Sequence, residues 1–115
     1  MAQLSIRIDF GPEFRIGPGK IILLEQIAAL GSISAAGRAM NMSYRRAWEL
    51  IDDLNTSFGK PVVLPRSGGK KGGGATMTAL GLSLISRYRA MERAAAAATE
   101  GHLEALEGEI EAAPG

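Results

Sequence analysis

Apolar and polar residues alternate at the start of the chain. A polar residue separates each pair of the apolar positions Leu4, Ile6, Ile8 and Phe10. A period of two is typical of a half-buried strand. The Gly-Pro pair at 11–12 ends the pattern, and residues 14–16 either pair back with this strand or lead onward.

A helical pattern begins at Pro18. Proline favours the first turn of a helix because its missing N–H would have no partner there. The run KIILLEQIAAL then spreads apolar residues over a wide face, and Gly31 ends the helix. We therefore expect a largely buried helix that packs through Ile21, Ile22, Leu23, Leu24, Ile27 and Ala28.

Two further helices are predicted on either side of a turn of about three residues. Ser32 and Ser43 are suitable N-caps, since a serine oxygen accepts a hydrogen bond from a free backbone N–H. Asn41 tolerates the backbone conformation of the turn. The second of these helices extends from Tyr44 to about Phe58, and its apolar face consists of Ala47, Leu50, Ile51, Leu54 and Phe58.

A hairpin and a fourth helix complete the pattern. One β-prone run covers residues 62–64, and a second contains Met77. Thr78 caps a helix over residues 79–98, in which alanine-rich sequence favours the helical state. Its apolar positions at helical spacing are Leu80, Leu84, Ile85, Tyr88, Met91 and Ala95. Residues 99–115 form an acidic tail, either weakly helical or frayed.

The stretch RSGGKKGGGAT lies between the two β-prone runs and suits a phosphate-binding loop, a linker or the tip of a wing. A Walker loop would need serine or threonine after Gly69-Lys70, where this chain has Lys71. A linker would separate independent units, whereas residues 77–84 continue the same domain. A wing tip accounts for the glycines, and Arg66, Lys70 and Lys71 then become candidate phosphate contacts.

The order of elements predicts a mainly α fold with a small β component. Strand, helix, short helix, turn, longer helix, hairpin and helix together describe a winged helix-turn-helix with a long C-terminal dimerisation helix. We assign residues 1–98 to this domain and residues 99–115 to the tail.

Charge is segregated along the chain. The net charge is only +1, but residues 1–37, 38–89 and 90–115 carry 0, +6 and −5 respectively. A basic middle attracts polyanions and an acidic end repels them. The charge pattern therefore favours DNA as a partner of the helix-turn-helix and the wing.

The exposed face of the third helix carries the candidate DNA contacts. At about 100° per residue, Arg45 and Glu49 lie opposite the apolar face and Arg46 lies on its flank. Arg45 is suited to a guanine edge, and Arg46 to a phosphate or a base. Each candidate also has a structural alternative. The arginines can simply be solvated, Trp48 can pack against its neighbours, and Glu49 can be solvated or paired within the protein. The predicted contacts are Ser43, Tyr44, Arg45, Arg46, Trp48 and Glu49.

Other classes of function find little support. The chain has no cysteine and a single histidine, His102, so it offers no thiolate site, catalytic triad or histidine metal cluster. Asp52 and Asp53 are helix neighbours that do not face each other. We expect no enzyme activity, cofactor or metal. No run approaches the roughly 20 apolar residues of a membrane span, so we also expect a soluble cytoplasmic protein.

Four motifs resemble one known family. They are GSIS at 31–34, SYRRAW at 43–48, GGKKGGGA at 68–75 and TALGLSLISRY at 78–88. Together they resemble the N-terminal DNA-binding domain of the ModE-type molybdate-responsive transcription regulators, over roughly residues 17–98. The combination of SYRRAW with a glycine-rich wing is fairly specific.

This resemblance implies a dimeric winged-helix regulator, related to LysR-type DNA-binding domains, whose two recognition helices read a palindromic operator. Its long helices would form the dimer interface, for which the candidates are Leu80, Leu84, Tyr88 and Met91. Such an apolar stripe is as often internal core. Full-length members carry C-terminal oxyanion-binding domains, and no residues here match them, so no molybdate site is expected in this chain.

The sequence therefore supports two alternative functions. The first is a homodimeric DNA-binding transcription regulator connected with molybdenum metabolism. The second is a winged-helix protein-interaction module that works with a partner regulator or a molybdenum-enzyme assembly factor. The basic residues Arg45, Arg46, Lys70 and Lys71 distinguish the two.

Overall fold

The computed structural model describes residues 2–66 and 74–110. Within these ranges the elements, in chain order, are β1 (Ile8–Asp9), β2 (Arg15–Ile16), α1 (Pro18–Leu30), α2 (Ile33–Ala39), α3 (Tyr44–Phe58), β3 (Val63–Pro65), β4 (Ala75–Met77) and α4 (Ala79–Glu107). This order is a winged helix-turn-helix, which confirms the predicted fold class. No helix in the described part of the chain combines the length and apolar character needed to cross a membrane.

The N-terminal strand is shorter than the alternation predicts. Only Ile8 and Asp9 are paired, and residues 15–16 turn back as β2 to form an antiparallel pair with them. The predicted apolar face is half-buried at Leu4, Ile6 and Ile8, but Phe10 is exposed. Phe10 stacks on Phe14 instead, with ring centroids 5.3 Å apart.

The predicted starts of α2 and α3 are confirmed by their capping contacts. Ser32 Oγ accepts a hydrogen bond from the Ala35 amide at 3.0 Å, and Ser43 Oγ accepts one from the Arg46 amide at 3.0 Å. Asn41 adopts φ 56° in the turn between α2 and α3. These short-range contacts explain why the helix boundaries could be read from the sequence.

A single core joins the three shorter helices to the hairpin and to the start of α4. Its buried apolar side chains are Ile16, Ile21, Leu23, Leu24, Ile27, Ile33, Ala36, Ala47, Ile51, Leu54, Val62, Val63, Ala75, Leu84 and Tyr88. The expectation that α1 packs through six apolar side chains was wrong at two positions. Ile22 and Ala28 are exposed, because neighbouring elements do not surround the helix on all sides.

Helix α4 is longer than predicted. It begins where Thr78 Oγ1 accepts a hydrogen bond from the Gly81 amide, and it continues to Glu107 instead of ending near residue 98. Its buried residues are Gly81, Leu84 and Tyr88, all within its first turns. The rest of α4 therefore extends as an arm beyond the core. The division into residues 1–98 and 99–115 stays a prediction.

Candidate nucleic-acid interface

Helices α2 and α3 approach each other closely at a glycine. Gly37 is buried, and a Cβ at this position would lie 3.4 Å from the Ala47 Cβ and 3.4 Å from the Met42 carbonyl oxygen. The Met42 amide donates to the Gly37 carbonyl at 2.9 Å and closes the turn. The sequence analysis overlooked Gly37, although a glycine inside a short helix is itself a signal of close approach.

The exposed face of α3 carries charged side chains, as the helical periodicity predicts. Ala47, Ile51 and Leu54 are buried on the opposite face. The Arg45 side chain is 90% exposed and that of Arg46 is 60% exposed. Both guanidinium groups are therefore open to a ligand that approaches the N-terminal half of α3.

Glu49 lies between these two arginines. Its carboxylate is 3.6 Å from Arg45 Nε and 3.8 Å from Arg46 Nη1. The structure thus contains the internally paired Glu49 that the sequence analysis considered as an alternative to a DNA contact. Exposed ion pairs of this length contribute little stability, so the arginines can exchange Glu49 for a phosphate or a base at small cost.

The remaining predicted residues of the recognition helix have mixed environments. Tyr44 is half exposed and meets Trp48 edge to face, with centroids 6.3 Å apart. Trp48 is partly buried against the core, which agrees with the packing role considered for it from the sequence. The Ser43 hydroxyl caps α3 through its oxygen, which leaves its proton free to be donated to a phosphate.

The hairpin of β3 and β4 forms the base of the wing. The strands pair antiparallel with Leu64 opposite Thr76, and the Arg66 amide donates to the Gly74 carbonyl at 2.8 Å. Arg66 is exposed at the point where the described part of the wing ends. Lys70 and Lys71, the other predicted phosphate contacts, lie outside the described residues.

Two sets of contacts that the sequence interpretation missed attach the hairpin to the helices. The Ala75 amide donates to the Gly31 carbonyl at 3.0 Å, beside a bridge between Ser32 and Gly74. The side chain of Asn55, in α3, hydrogen-bonds the backbone at the entrance to β3. The only sequence signal for the second contact is an asparagine, a poor helix former, inside a helix.

The residues predicted for the dimer interface divide into two groups. Leu84 and Tyr88 are buried in the core of the monomer, and the Tyr88 hydroxyl donates to the Ile6 carbonyl at 2.7 Å. Leu80 is half-buried, and Met91 is 42% exposed. For Leu84 and Tyr88 the structure corrects the prediction, because both side chains already pack within their own chain.

An ion-pair network joins α4 to α1. Arg89 Nη2 and Nε donate to the two carboxylate oxygens of Glu25 at 2.6 and 3.0 Å, and Arg89 Nη1 donates to Glu92 at 2.6 Å. The hydrogen bonds from Arg89 lower the pKa of Glu25, and those to Glu25 and Glu92 raise the pKa of Arg89. The sequence interpretation missed this network, whose first two members lie 64 residues apart.

The burial of Tyr88 also affects its acidity. Burial away from water is the largest cause that raises the pKa of the phenol, and the nearby negative charge of Glu92 raises it further. Tyr88 therefore stays a neutral donor to Ile6 at ordinary pH. Within the described ranges, no group of three or more acidic, histidine or cysteine side chains is arranged to hold a metal ion.

Comparison with known proteins identifies relatives of this chain by sequence. No protein-family model matches the chain. MopB of Rhodobacter capsulatus, a molybdenum-pterin-binding protein, is 44% identical over 78 residues, which make up 68% of this chain and 29% of MopB. MopA of the same organism is 38% identical over 112 residues, 97% of this chain and 40% of MopA. The transcriptional regulator ModE of Yersinia pestis is 44% identical over 87 residues, 76% of this chain and 33% of ModE.

The chain thus spans between 29% and 40% of the length of these curated relatives. Two solved structures resemble its fold. A crystal structure of a CbnR_DBD–DNA complex has a TM-score of 0.60 at 16% identity and covers 76% of this chain and 95% of its own. A crystal structure of a LysR family transcriptional regulator has a TM-score of 0.56 at 18% identity, with 76% and 28% covered. At these identities the likeness concerns the fold alone.

Proposed function

We propose, from the premise that this chain belongs to the family of ModE-type regulators, that it is a sequence-specific DNA-binding transcription regulator. The observation that carries the proposal is the exposed N-terminal half of α3, where the guanidinium groups of Arg45 and Arg46 face solvent beside the turn of the helix-turn-helix. In this fold, that end of the recognition helix lies nearest the base edges of the major groove.

The contacts divide into two kinds. Arg45 is proposed to read a guanine through its two parallel donors, and Arg46 to contact a phosphate or a base. Ser43, Tyr44, Trp48 and Glu49 complete the recognition surface. On the wing, Arg66, Lys70 and Lys71 are proposed to neutralise phosphates and to carry no sequence preference.

The biological setting follows from the relatives. Their names connect them with molybdenum, so we propose that the regulated genes serve molybdenum or molybdate metabolism. We propose that the role is non-catalytic. Because the bacterial relatives include transcriptional regulators, one of them named as DNA-binding, we also propose that the protein acts in the cytoplasm.

The protein is proposed to act as a homodimer through α4. Met91 is exposed on α4, and Leu80 is half-buried nearer its start. A second copy of α4 would cover the exposed apolar side chains, while Leu84 and Tyr88 support the helix from inside the core.

The proposal is tested by titrating a fluorescent duplex of a site selected from random DNA, at salt concentrations from about 50 to 200 mM. Six or more phosphate contacts predict a loss of affinity of about a thousandfold over this range. An affinity that does not depend on salt contradicts DNA binding.

Recognition of the DNA sequence by α3 is tested separately by replacing both Arg45 and Arg46 with alanine. We expect this variant to lose the preference for the selected site over a scrambled one, since the base contacts are removed. The matched control replaces Arg15 and Arg87, which are exposed arginines outside α3, and should keep the preference. If the Arg45 and Arg46 variant keeps the preference too, these arginines do not read the bases and the assignment of base contacts to them is wrong. A wild-type protein that shows no preference for any duplex would instead favour the protein-interaction role.

A further inference from the structure

The side chain of Asn55 connects the recognition helix to the wing. Asn55 lies in the last turns of α3, and its Oδ1 accepts hydrogen bonds from the Val62 amide at 2.7 Å and the Val63 amide at 3.3 Å. Its Nδ2 donates to the Val63 carbonyl at 3.2 Å. One carboxamide therefore satisfies three backbone groups at the entrance to β3.

These three backbone groups belong to a buried part of the chain. Val62 and Val63 are both fully buried, so water cannot easily replace Asn55 as their partner. Among the described residues, the hydrogen bonds between α3 and the hairpin all come from Asn55. The direction in which the hairpin leaves α3 thus depends on this side chain.

The other attachments of the hairpin lead to different elements. Thr78 Oγ1 donates to the carbonyls of Pro61 and Val62, which ties β3 to the start of α4. The Ala75 amide bonds the Gly31 carbonyl, which ties β4 to the connection between α1 and α2. These hydrogen bonds hold the hairpin on the domain but reach no residue of α3. Apolar packing in the shared core is not directional, so the three hydrogen bonds of Asn55 are the directional contacts that orient the hairpin relative to α3 within the described residues.

We propose that Asn55 is a positioning residue for DNA binding, which sets the wing relative to the recognition helix so that both contact one duplex together. This inference rests on the proposed DNA-binding function. Asn55 itself touches no DNA in this arrangement; it acts through the placement of β3 and of the exposed Arg66 that follows it.

The chemistry requires asparagine in particular. Its oxygen accepts from two amides while its nitrogen donates to a carbonyl. An aspartate of the same shape would keep the acceptor but place a charged oxygen against the Val63 carbonyl. An alanine would leave all three backbone groups without their partner.

The test measures how affinity for the selected duplex depends on salt, because the slope of this dependence counts phosphate contacts at about 0.9 for each phosphate. We expect Asn55→Ala to flatten the slope by about 1 or more, as Arg66→Ala does, while the preferred sequence is retained. Adding Arg66→Ala to Asn55→Ala should then change the slope little further, since the wing contact is already lost.

Two controls separate positioning from a loss of stability. Thr56→Ala changes the next, exposed residue of α3 and should leave the slope unchanged. Leu84→Ala weakens the core within α4 and should lower the affinity by the same factor at every salt concentration. If Asn55→Ala does not fold, Asn55→Asp takes its place with the same expected flattening.

The inference is overturned if the Asn55 variant binds DNA with the wild-type salt slope and if adding Arg66→Ala flattens that slope as much as it does in the wild-type protein. A failure of the proposed function looks different, because the wild-type protein itself would then bind DNA without dependence on salt.

Discussion

At the scale of single residues, Gly81 marks a close approach between the start of α4 and the backbone that enters the wing. A Cβ at this position would collide with the Val62 carbonyl oxygen and would lie 2.6 Å from the Met77 Cε. The methionine tip can move aside, but the backbone carbonyl cannot, because it also accepts hydrogen bonds from the amide and the hydroxyl of Thr78. The absence of a side chain at residue 81 is thus a condition for the start of α4 to pack on β3.

We therefore expect Gly81→Ala to lower the free energy of unfolding by about 1–3 kcal/mol through overpacking. The measurement is urea unfolding followed by circular dichroism. Gly101→Ala is the matched control in the same helix, since nothing lies within 4 Å of a Cβ there, and it should not destabilise the protein. Equal stabilities of the two variants would contradict the packing argument.

At the scale of elements, the pair of Glu25 and Arg89 fixes how α4 crosses α1. The bidentate contact at 2.6 and 3.0 Å defines both the distance and the rotation of α4 at this point. The pair lies one residue after Tyr88, which is the last fully buried position of α4. It therefore holds the helix where the core ends and the arm begins.

The lowered pKa of Glu25 makes this contact sensitive to acid. The folded-state pKa lies below the ordinary value of 4.5, so the stability from the pair is present above that value and is lost as pH falls through the folded-state pKa. We expect Glu25→Gln to be less stable than the wild type at neutral pH, with a difference that shrinks as pH falls below 4.5 and through the folded-state pKa of Glu25.

Urea midpoints measured across this pH range check the expectation. The control, Glu13→Gln, removes an exposed glutamate outside α1 and should not reproduce the shrinking difference. A difference between wild type and Glu25→Gln that stays constant with pH would show that the side chain acts through packing and not through its charge.

At the scale of the whole molecule, the long arm of α4 extends beyond the core, and residues 2–4 lie along one of its faces. The molecule measures 56 × 34 × 24 Å, and α4 contributes to its length with 29 residues. Exposed apolar side chains continue along α4 to Met91 and Leu106. A dimer would cover them and would place two recognition helices on one operator, with half-sites about one helical turn apart or a multiple of it.

We expect Met91→Glu to shift the protein toward monomer, because a charge would be buried in the proposed interface. Sedimentation equilibrium measures the change, and binding to a palindromic duplex should weaken more than binding to a half-site. Ser86→Glu places the same charge on an exposed position elsewhere on α4 and should leave the association unchanged. A wild-type protein that sediments as a monomer would refute the dimer itself.

The sequence by itself determined where the helices begin and where the first three of them end. The caps at Ser32, Ser43 and Thr78 and the turn at Asn41 were predictable because each depends on hydrogen bonds and backbone preferences within three or four residues. The same local periodicity identified the exposed face of α3 with Arg45. The length of α4 beyond residue 98 was not predictable in this way, since its acidic sequence supports a helical and a frayed interpretation equally.

Only the tertiary structure decided which partner each side chain has. Periodicity assigned Leu84 and Tyr88 to an apolar stripe but could not tell an internal core from a dimer interface, and they belong to the core. The bond from Tyr88 to Ile6 spans 82 residues and the pair of Glu25 and Arg89 spans 64. Contacts over such separations depend on how whole elements are arranged, and a pattern read within one element contains no information about its neighbours.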